Sequence, residues 1–114
     1  MIDQAHLDTL TQLLGRDTIN QIRLEYIEDS SEKLEQLLQA WDEKNYAELR
    51  QVSHSLKSAS LNMAMSTFAK QCQQIEQSTT LQHNEQDMQA IIDELPSLHT
   101  RSLQALEQYF SDLA

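Results

Sequence analysis

Apolar residues recur at helical spacing along most of the chain, and polar or charged residues separate them. This periodicity predicts an all-α fold. A short helix is expected over 4–14, followed by four longer helices over about 18–40, 42–62, 66–78 and 85–113. Because short segments connect the longer helices, we expect an antiparallel up-down-up-down four-helix bundle, with the short helix packed across one end. There is no internal repeat, and a single domain over 1–114 is expected.

Individual residues mark several predicted helix ends. Gly15 is a plausible stop for the first helix, and Asp17 or Thr18 can cap the second. Ser66 is a favourable N-cap for the fourth helix. The polar segment 78–84 is predicted to be a loop.

Composition supports the helical prediction. The 114 residues include one Gly and one Pro, whereas a sheet protein needs more turn residues. Pro96 lies within the last helical pattern and is expected to kink or break it near residues 92–95, because proline removes a backbone hydrogen bond. Cys72 is the only cysteine, so an internal disulfide is impossible, and its place on an apolar stripe predicts a core position.

Charge narrows the class of partner. The formal net charge of −10 argues against nucleic acid and anionic membranes, since both require a basic face. Residues 44–70 nevertheless sum to +3, which leaves −13 for the rest of the chain. A slightly positive helix on an acidic body suits an anionic ligand or an acidic protein site, although chance clustering would give the same sum. With no membrane-spanning apolar run and no apparent signal peptide, a soluble cytoplasmic protein is expected.

The segment 53–61 carries the most informative chemistry. In helical projection His54 lies on the exposed side, and Lys57 lies on the flank, one turn later. The opposite stripe is expected to be buried and contains Ser53, Leu56, Ser60, Met63 and, at its edge, Val52. Neutral imidazole is nucleophilic near pH 7, and an exposed ring is free to react. This arrangement indicates a histidine that carries a phosphoryl group, whose charge Lys57 would partly neutralise.

The same residues match a known family. The His-Ser-Leu-Lys run that begins at His54, with small residues after it, resembles the motif of histidine phosphotransfer (HPt) domains. Matching downstream positions follow without a gap at Phe68, Cys72, Ile75 and Glu76. The resemblance covers nearly the whole chain. Within the family, the length and Ser58 are most similar to LuxU-type stand-alone domains, which would imply a role in quorum sensing.

Two positions depart from the family pattern. Ser58 and Ala64, four and ten residues after the histidine, both replace a common Gly. The Ser58 hydroxymethyl group leans toward the imidazole, where it would either crowd the phosphoryl group or donate a hydrogen bond to it. A positive φ at Ala64 would cost about 1 kcal/mol, so we expect Asn62 or a different loop geometry to form that turn. Both departures bear on rate more than on function.

The resemblance implies a phosphorelay intermediate that has no ATP site and is not itself an enzyme. His54 would take the phosphoryl group from a receiver-domain phospho-aspartate and pass it to another receiver aspartate. Partners would be response-regulator receiver domains and a hybrid sensor kinase. The chain shows no clustered metal ligands, so no bound cofactor is expected and Mg²⁺ would come from the receiver. A monomer is the expected state.

Receiver docking would use the exposed surface around His54. The candidate docking residues are Arg50, Gln51, Ser55, Ser58 and Leu61, with Lys33 or Gln36 added from the neighbouring helix.

Two other functions stay open at this stage. The chain would be a helical adaptor that binds receivers or kinases without being phosphorylated, if Ser58 blocks turnover. A phosphatase acting on phospho-aspartate would need a residue that orients water, and none is identifiable. Glu76 is expected to cap or pair locally without a catalytic role, and the acidic residues of 25–35 are expected to form a solvated face. Structural or surface roles are expected for His6, His83 and His99.

Overall fold

The computed structural model describes residues 1–80 and 85–113, and these are helical apart from short connections. The helices are α1 (Gln4–Leu14), α2 (Arg16–Asp42), α3 (Tyr46–Asn62), α4 (Ser66–Thr80) and α5 (Glu85–Asp112). The four longer helices form a bundle, and the structure as a whole is elongated, with dimensions of 45 × 20 × 19 Å. The predicted all-α bundle with an extra N-terminal helix is therefore confirmed. Within the described part of the chain, no helix combines the length and the hydropathy needed to cross a membrane.

Gly15 alone separates α1 from α2. Its φ of 86° is a left-handed conformation that suits glycine, and its N–H donates to the carbonyl of Thr11. The next residue, Arg16, already belongs to α2. The predicted capping by Asp17 or Thr18 is wrong, because both residues lie inside the helix and no side chain caps its first turn.

The α2–α3 connection is a tight turn, and α3 begins four residues later than predicted. α2 continues to Asp42, and the chain reverses at Lys44, which has a φ of 55°. Asn45 then caps α3, since its side chain accepts the backbone N–H of Glu48 at 3.2 Å. The capped turn places the first helical residue at Tyr46.

The α3–α4 turn is formed by Ala64, which has a φ of 63°. The Ala64 N–H donates to the Leu61 carbonyl at 3.1 Å, and the Met65 N–H donates to the Ser60 carbonyl at 2.8 Å. These two bonds define a Schellman motif, which requires a left-handed residue at this position. The expectation that Asn62 or another loop geometry would form the turn is wrong, because Asn62 is the last helical residue.

Two predicted ends of α4 also need correction. Ser66 is the first residue of α4 rather than its cap, and its hydroxyl donates to the Met1 carbonyl at 3.2 Å. At the other end α4 continues to Thr80, so residues 78–80 of the predicted loop are helical. The remainder of that loop prediction, 81–84, lies outside the described residues.

α5 continues through Pro96, so of the kink or break predicted near residues 92–95 the break does not occur. Proline removes one backbone hydrogen bond, but the helix buries apolar side chains on both sides of it. These buried residues include Met88, Ile92, Leu95, Leu98 and Leu106. Packing of this face outweighs the local cost of the proline.

The core lies along the bundle axis and includes side chains from all five helices. Cys72 is fully buried within it, as predicted, and burial raises the pKa of its thiol to about 12. α1 packs at the end of the bundle where α3 meets α4 and buries Leu7 there. Just before α1, the Asp3 N–H donates to the Ala64 carbonyl at 2.8 Å. The N-terminal segment therefore holds the α3–α4 turn.

Candidate functional site

α3 divides into a buried and an exposed face, as the helical projection predicts. Its buried residues are Leu49, Val52, Ser53, Leu56 and Ser60. The two buried serines are satisfied, since Ser53 donates to the Leu49 carbonyl at 2.7 Å and Ser60 is bonded to the Tyr26 hydroxyl at 2.7 Å. His54 lies on the other face, with 59% of its side chain exposed.

Glu76 of α4 connects the two functional candidates on α3. Its Oε1 lies 2.8 Å from Nδ1 of His54, and its Oε2 lies 2.9 Å from Nζ of Lys57. The carboxylate and the lysine are both half-buried, whereas the imidazole extends into solvent. Lys57 is therefore paired with Glu76 rather than free beside His54.

Electrostatics keeps Glu76 ionised. Partial desolvation acts to raise the pKa of Glu76, but hydrogen bonds from Lys57 and His54, and their charges, lower it below its usual range. An ionised carboxylate only accepts hydrogen bonds, so Nδ1 of His54 must carry the proton. The lone pair of the neutral ring is then on Nε2, which accepts no hydrogen bond from any described residue. A residue from another helix thus determines which nitrogen of the His54 ring carries the free lone pair.

The predicted docking residues share the surface of α3 around His54. Arg50, Gln51, Ser58 and Leu61 are exposed, and Ser55 is half-buried. Leu61 is an exposed apolar side chain, with 52% of its surface accessible.

The two docking candidates on α2 have other partners or surroundings than His54 in the described part of the chain. Lys33 pairs with Asp29 on its own helix, with 2.9 Å between Nζ and Oδ2. Gln36 lines a shallow cavity together with Glu43 and Glu48, near the other end of α3. Neither side chain is hydrogen-bonded to His54 in the described part of the chain.

The other described histidines, His6 and His99, have different partners from His54. The His6 ring is bonded to the Asn62 carbonyl at 3.3 Å, and His99 is buried against Phe68. His83 lies outside the described residues. Among the described residues, no group of three or more His, Cys, Asp or Glu side chains could hold a metal ion.

Sequence analysis did not assign Glu76 to the site. Helical periodicity gives the face of each helix, but it does not give the register between α3 and α4. The available signal was the glutamate position downstream of the His54 motif, which was interpreted as a local pairing. The structure instead places Glu76 against His54, which is 22 residues earlier.

Comparisons with known proteins identify the family and the fold. A family model described as the Hpt domain matches residues 21–109. The chain also resembles the crystal structure of histidine-containing phosphotransfer protein B (HptB) from Pseudomonas aeruginosa PAO1, with a TM-score of 0.85 and 22% identity. That alignment covers 97% of this chain and 95% of the other. At this identity the likeness shows a shared fold. No curated protein matched the chain.

Proposed function

Since the chain belongs to the Hpt domain family, we propose that it carries a phosphoryl group on His54 between receiver-domain aspartates in a phosphorelay. The observation that carries this proposal is the exposed imidazole whose Nδ1 is bonded to Glu76 at 2.8 Å. That bond directs the lone pair of Nε2 toward solvent, where a partner protein can reach it. His54 is then the phosphoacceptor.

The incoming step is a displacement at phosphorus. Nε2 of His54 attacks the phospho-aspartate of the receiver, an N–P bond forms, and the bond between phosphorus and the aspartate oxygen breaks. Such transfers depend mainly on alignment and on neutralisation of charge. Lys57 lies one turn from His54, and its ammonium, which is paired with Glu76 in the free protein, would neutralise part of the phosphoryl charge. The receiver would supply Mg²⁺ and the acidic pocket.

Docking in this proposal uses the exposed face of α3. Arg50 and Lys57 give this face a positive character on a chain of net charge −10, which suits the acidic pocket of a receiver. Leu61 offers an apolar contact beside the reactive ring. The chain would act as a phosphocarrier without an ATP site and as a monomer, with receiver domains and a hybrid sensor kinase as partners.

Phosphoryl transfer from a phosphorylated receiver tests the proposal directly. The full-length protein is incubated with the receiver and Mg²⁺, and intact mass and acid lability are measured. We expect the gain of one acid-labile phosphoryl group, which His54→Gln abolishes. The matched control is His6→Gln, which replaces a histidine of α1 whose ring contacts the Asn62 carbonyl at the end of α3, and it should leave transfer unchanged.

Binding without transfer would overturn this function. That result, obtained with several receivers, would favour a non-phosphorylated adaptor. Ser58→Gly would then show whether the hydroxymethyl group of this exposed residue blocks the ring.

A further inference from the structure

Ser58 is an exposed serine of α3 whose hydroxyl makes no hydrogen bond to any described residue. Several other helical hydroxyls of this chain donate to a carbonyl in the preceding turn of their own helix. Ser53, for example, donates to the Leu49 carbonyl at 2.7 Å. The equivalent acceptor for Ser58 is the His54 carbonyl, and that bond is not formed in the described part of the chain. The Ser58 hydroxyl is therefore available to a group outside the helix backbone.

Ser58 and Lys57 lie on opposite sides of His54 around the axis of α3. At about 100° per residue, Lys57 is displaced from His54 by about 60° in one direction and Ser58 by about 40° in the other. Residues three and four apart on a helix have Cβ atoms about 5–6 Å apart, and helical side chains lean toward the N-terminus. Both side chains therefore lean back over the turn that carries the His54 ring.

The bond between His54 and Glu76 orients the two edges of the imidazole. Glu76 is bonded to Nδ1 of His54 and to the ammonium of Lys57, so Nδ1 faces the Lys57 side of α3. Nδ1 lies on one edge of the ring and Nε2 on the other, so Nε2 is turned away from Glu76. Ser58 lies on that other side of His54, beside the nitrogen that is proposed to accept the phosphoryl group.

A phosphoryl group on Nε2 needs hydrogen-bond donors. It brings close to two negative charges and three strong acceptor oxygens. The Lys57 ammonium already lies 2.9 Å from Oε2 of Glu76 and approaches from one side only. A serine hydroxyl has one O–H donor, and a hydrogen bond to an anion is stronger than one between neutral groups. Ser58 can thus supply a donor on the side that Lys57 does not face.

Resting on the proposed phosphocarrier function, we propose that the Ser58 hydroxyl donates a hydrogen bond to a phosphoryl oxygen of phosphorylated His54. This bond exists only when His54 is phosphorylated, so it stabilises the phosphorylated form relative to the free histidine. Crowding of the ring by the same hydroxymethyl group would have the opposite effect and would destabilise the phosphorylated form. The sign of the effect on the phosphorylated form therefore separates the two roles of Ser58.

The distribution of the phosphoryl group at equilibrium tests this contact. A receiver domain is phosphorylated on its aspartate with phosphoramidate, separated from the excess reagent, and mixed with the full-length protein and Mg²⁺ at concentrations below the dissociation constant of the complex. The ratio of phospho-His54 to phospho-aspartate is followed until it is constant. Ser58→Ala should lower this ratio about tenfold, because it loses a hydrogen bond to a charged group.

Two further variants define the cause of that loss. Ser58→Thr retains a hydroxyl and should keep a ratio close to that of the wild type. Ser97→Ala removes an exposed serine hydroxyl from α5 and should leave the ratio unchanged. An equal fall in Ser58→Ala and Ser58→Thr would overturn the inference, since only one of these variants lacks the donor.

The equilibrium ratio also separates this contact from receiver docking. A residue that contacts the receiver equally before and after transfer changes the forward and reverse rates by the same factor, so it does not shift the equilibrium. An unchanged ratio in Ser58→Ala would therefore overturn the proposed hydrogen bond. A higher ratio would overturn it as well and would show that the hydroxymethyl group crowds the phosphoryl group.

Failure of this inference is distinguishable from failure of the proposed function. Loading of His54 with the same ratio in the wild type and Ser58→Ala would overturn the role of Ser58 alone. The absence of an acid-labile phosphoryl group that depends on His54 would overturn the proposed function, and this inference with it.

Discussion

The imidazole of His99 on α5 is hydrogen-bonded across the core to the hydroxyl of Ser30 on α2, with 2.9 Å between Nε2 and Oγ. Its ring packs against Phe68 of α4, with 5.0 Å between the ring centroids. No charged side chain among the described residues is bonded to it, and desolvation by burial lowers the pKa of His99. A neutral histidine is thus part of the contact between three helices.

We expect the free energy of unfolding to fall on mild acidification. The unfolded chain takes up a proton at His99 near its ordinary pKa of 6.5, whereas the folded chain resists protonation. The stabilising contribution is therefore complete above that pH and is lost as the pH falls below it. Urea unfolding of the wild type and His99→Gln checks this, and the variant should show a shallower decline.

The pH range and a control variant separate the contribution of His99 from that of other titrating groups in this unfolding experiment. Glu76 has a lowered pKa, so its own contribution is lost only as the pH falls below the usual carboxylate value of 4.5, and measurements down to about pH 5 avoid it. His6→Gln controls for a partly exposed histidine and should retain the wild-type pH dependence. Identical slopes in the wild type and His99→Gln would contradict the prediction.

Leu56→Ala should lower stability, whereas Leu61→Ala should weaken receiver binding, although both leucines lie on α3. Leu56 is fully buried, so its truncation should lower the free energy of unfolding by about 2–5 kcal/mol. Leu61 is exposed, so its truncation should change stability by less than about 0.5 kcal/mol and weaken receiver binding instead. Denaturant unfolding and calorimetric titration with a receiver domain separate the two effects. Normal receiver binding by Leu61→Ala would remove this residue from the docking surface.

Lys57→Met should slow phosphoryl transfer to His54 by about tenfold or more. The variant loses the hydrogen bond that Lys57 would donate to the charged phosphoryl group, and such a bond contributes about 1.5–3 kcal/mol. The rate of phosphoryl transfer from a phosphorylated receiver measures the loss. Lys70→Met, which removes an exposed cation from α4, is the matched control for a change of net charge. Equal slowing in both variants would indicate a general charge effect rather than a contact made by Lys57.

Ala64→Gly should leave stability within about 0.5 kcal/mol of the wild type. Relief of the left-handed conformation gains about 1 kcal/mol, while the added chain entropy and the lost buried methyl group offset it. Ala90→Gly, at an exposed position within α5, should instead cost about 1 kcal/mol. Thermal unfolding of the two variants compares a left-handed site with a helical one. A similar loss in both would show that strain at Ala64 is negligible.

Local patterns predicted the helices and the faces of α3 because those properties depend on neighbours within one or two turns. His54 and Leu56 lie on the predicted sides for this reason. Pro96 and Ala64 were interpreted from local preference alone. Packing of α5 outweighed the local cost of Pro96, and the backbone hydrogen bonds of the α3–α4 turn outweighed the cost of the left-handed Ala64. The Glu76 contact required the register of α4 against α3, which no local pattern contains.

The turn at Ala64 determines which side of α4 is presented to α3. One residue added to this turn would rotate α4 by about 100° relative to α3, and Glu76 would then point away from the imidazole. Both helices would survive such an insertion, but the bond between Glu76 and Nδ1 of His54 would be lost. Because the Asp3 N–H is bonded to the Ala64 carbonyl, the N-terminal segment helps to fix the length of this turn. The contact between His54 and Glu76 thus depends on a backbone hydrogen bond at Ala64, ten residues further along the chain than His54.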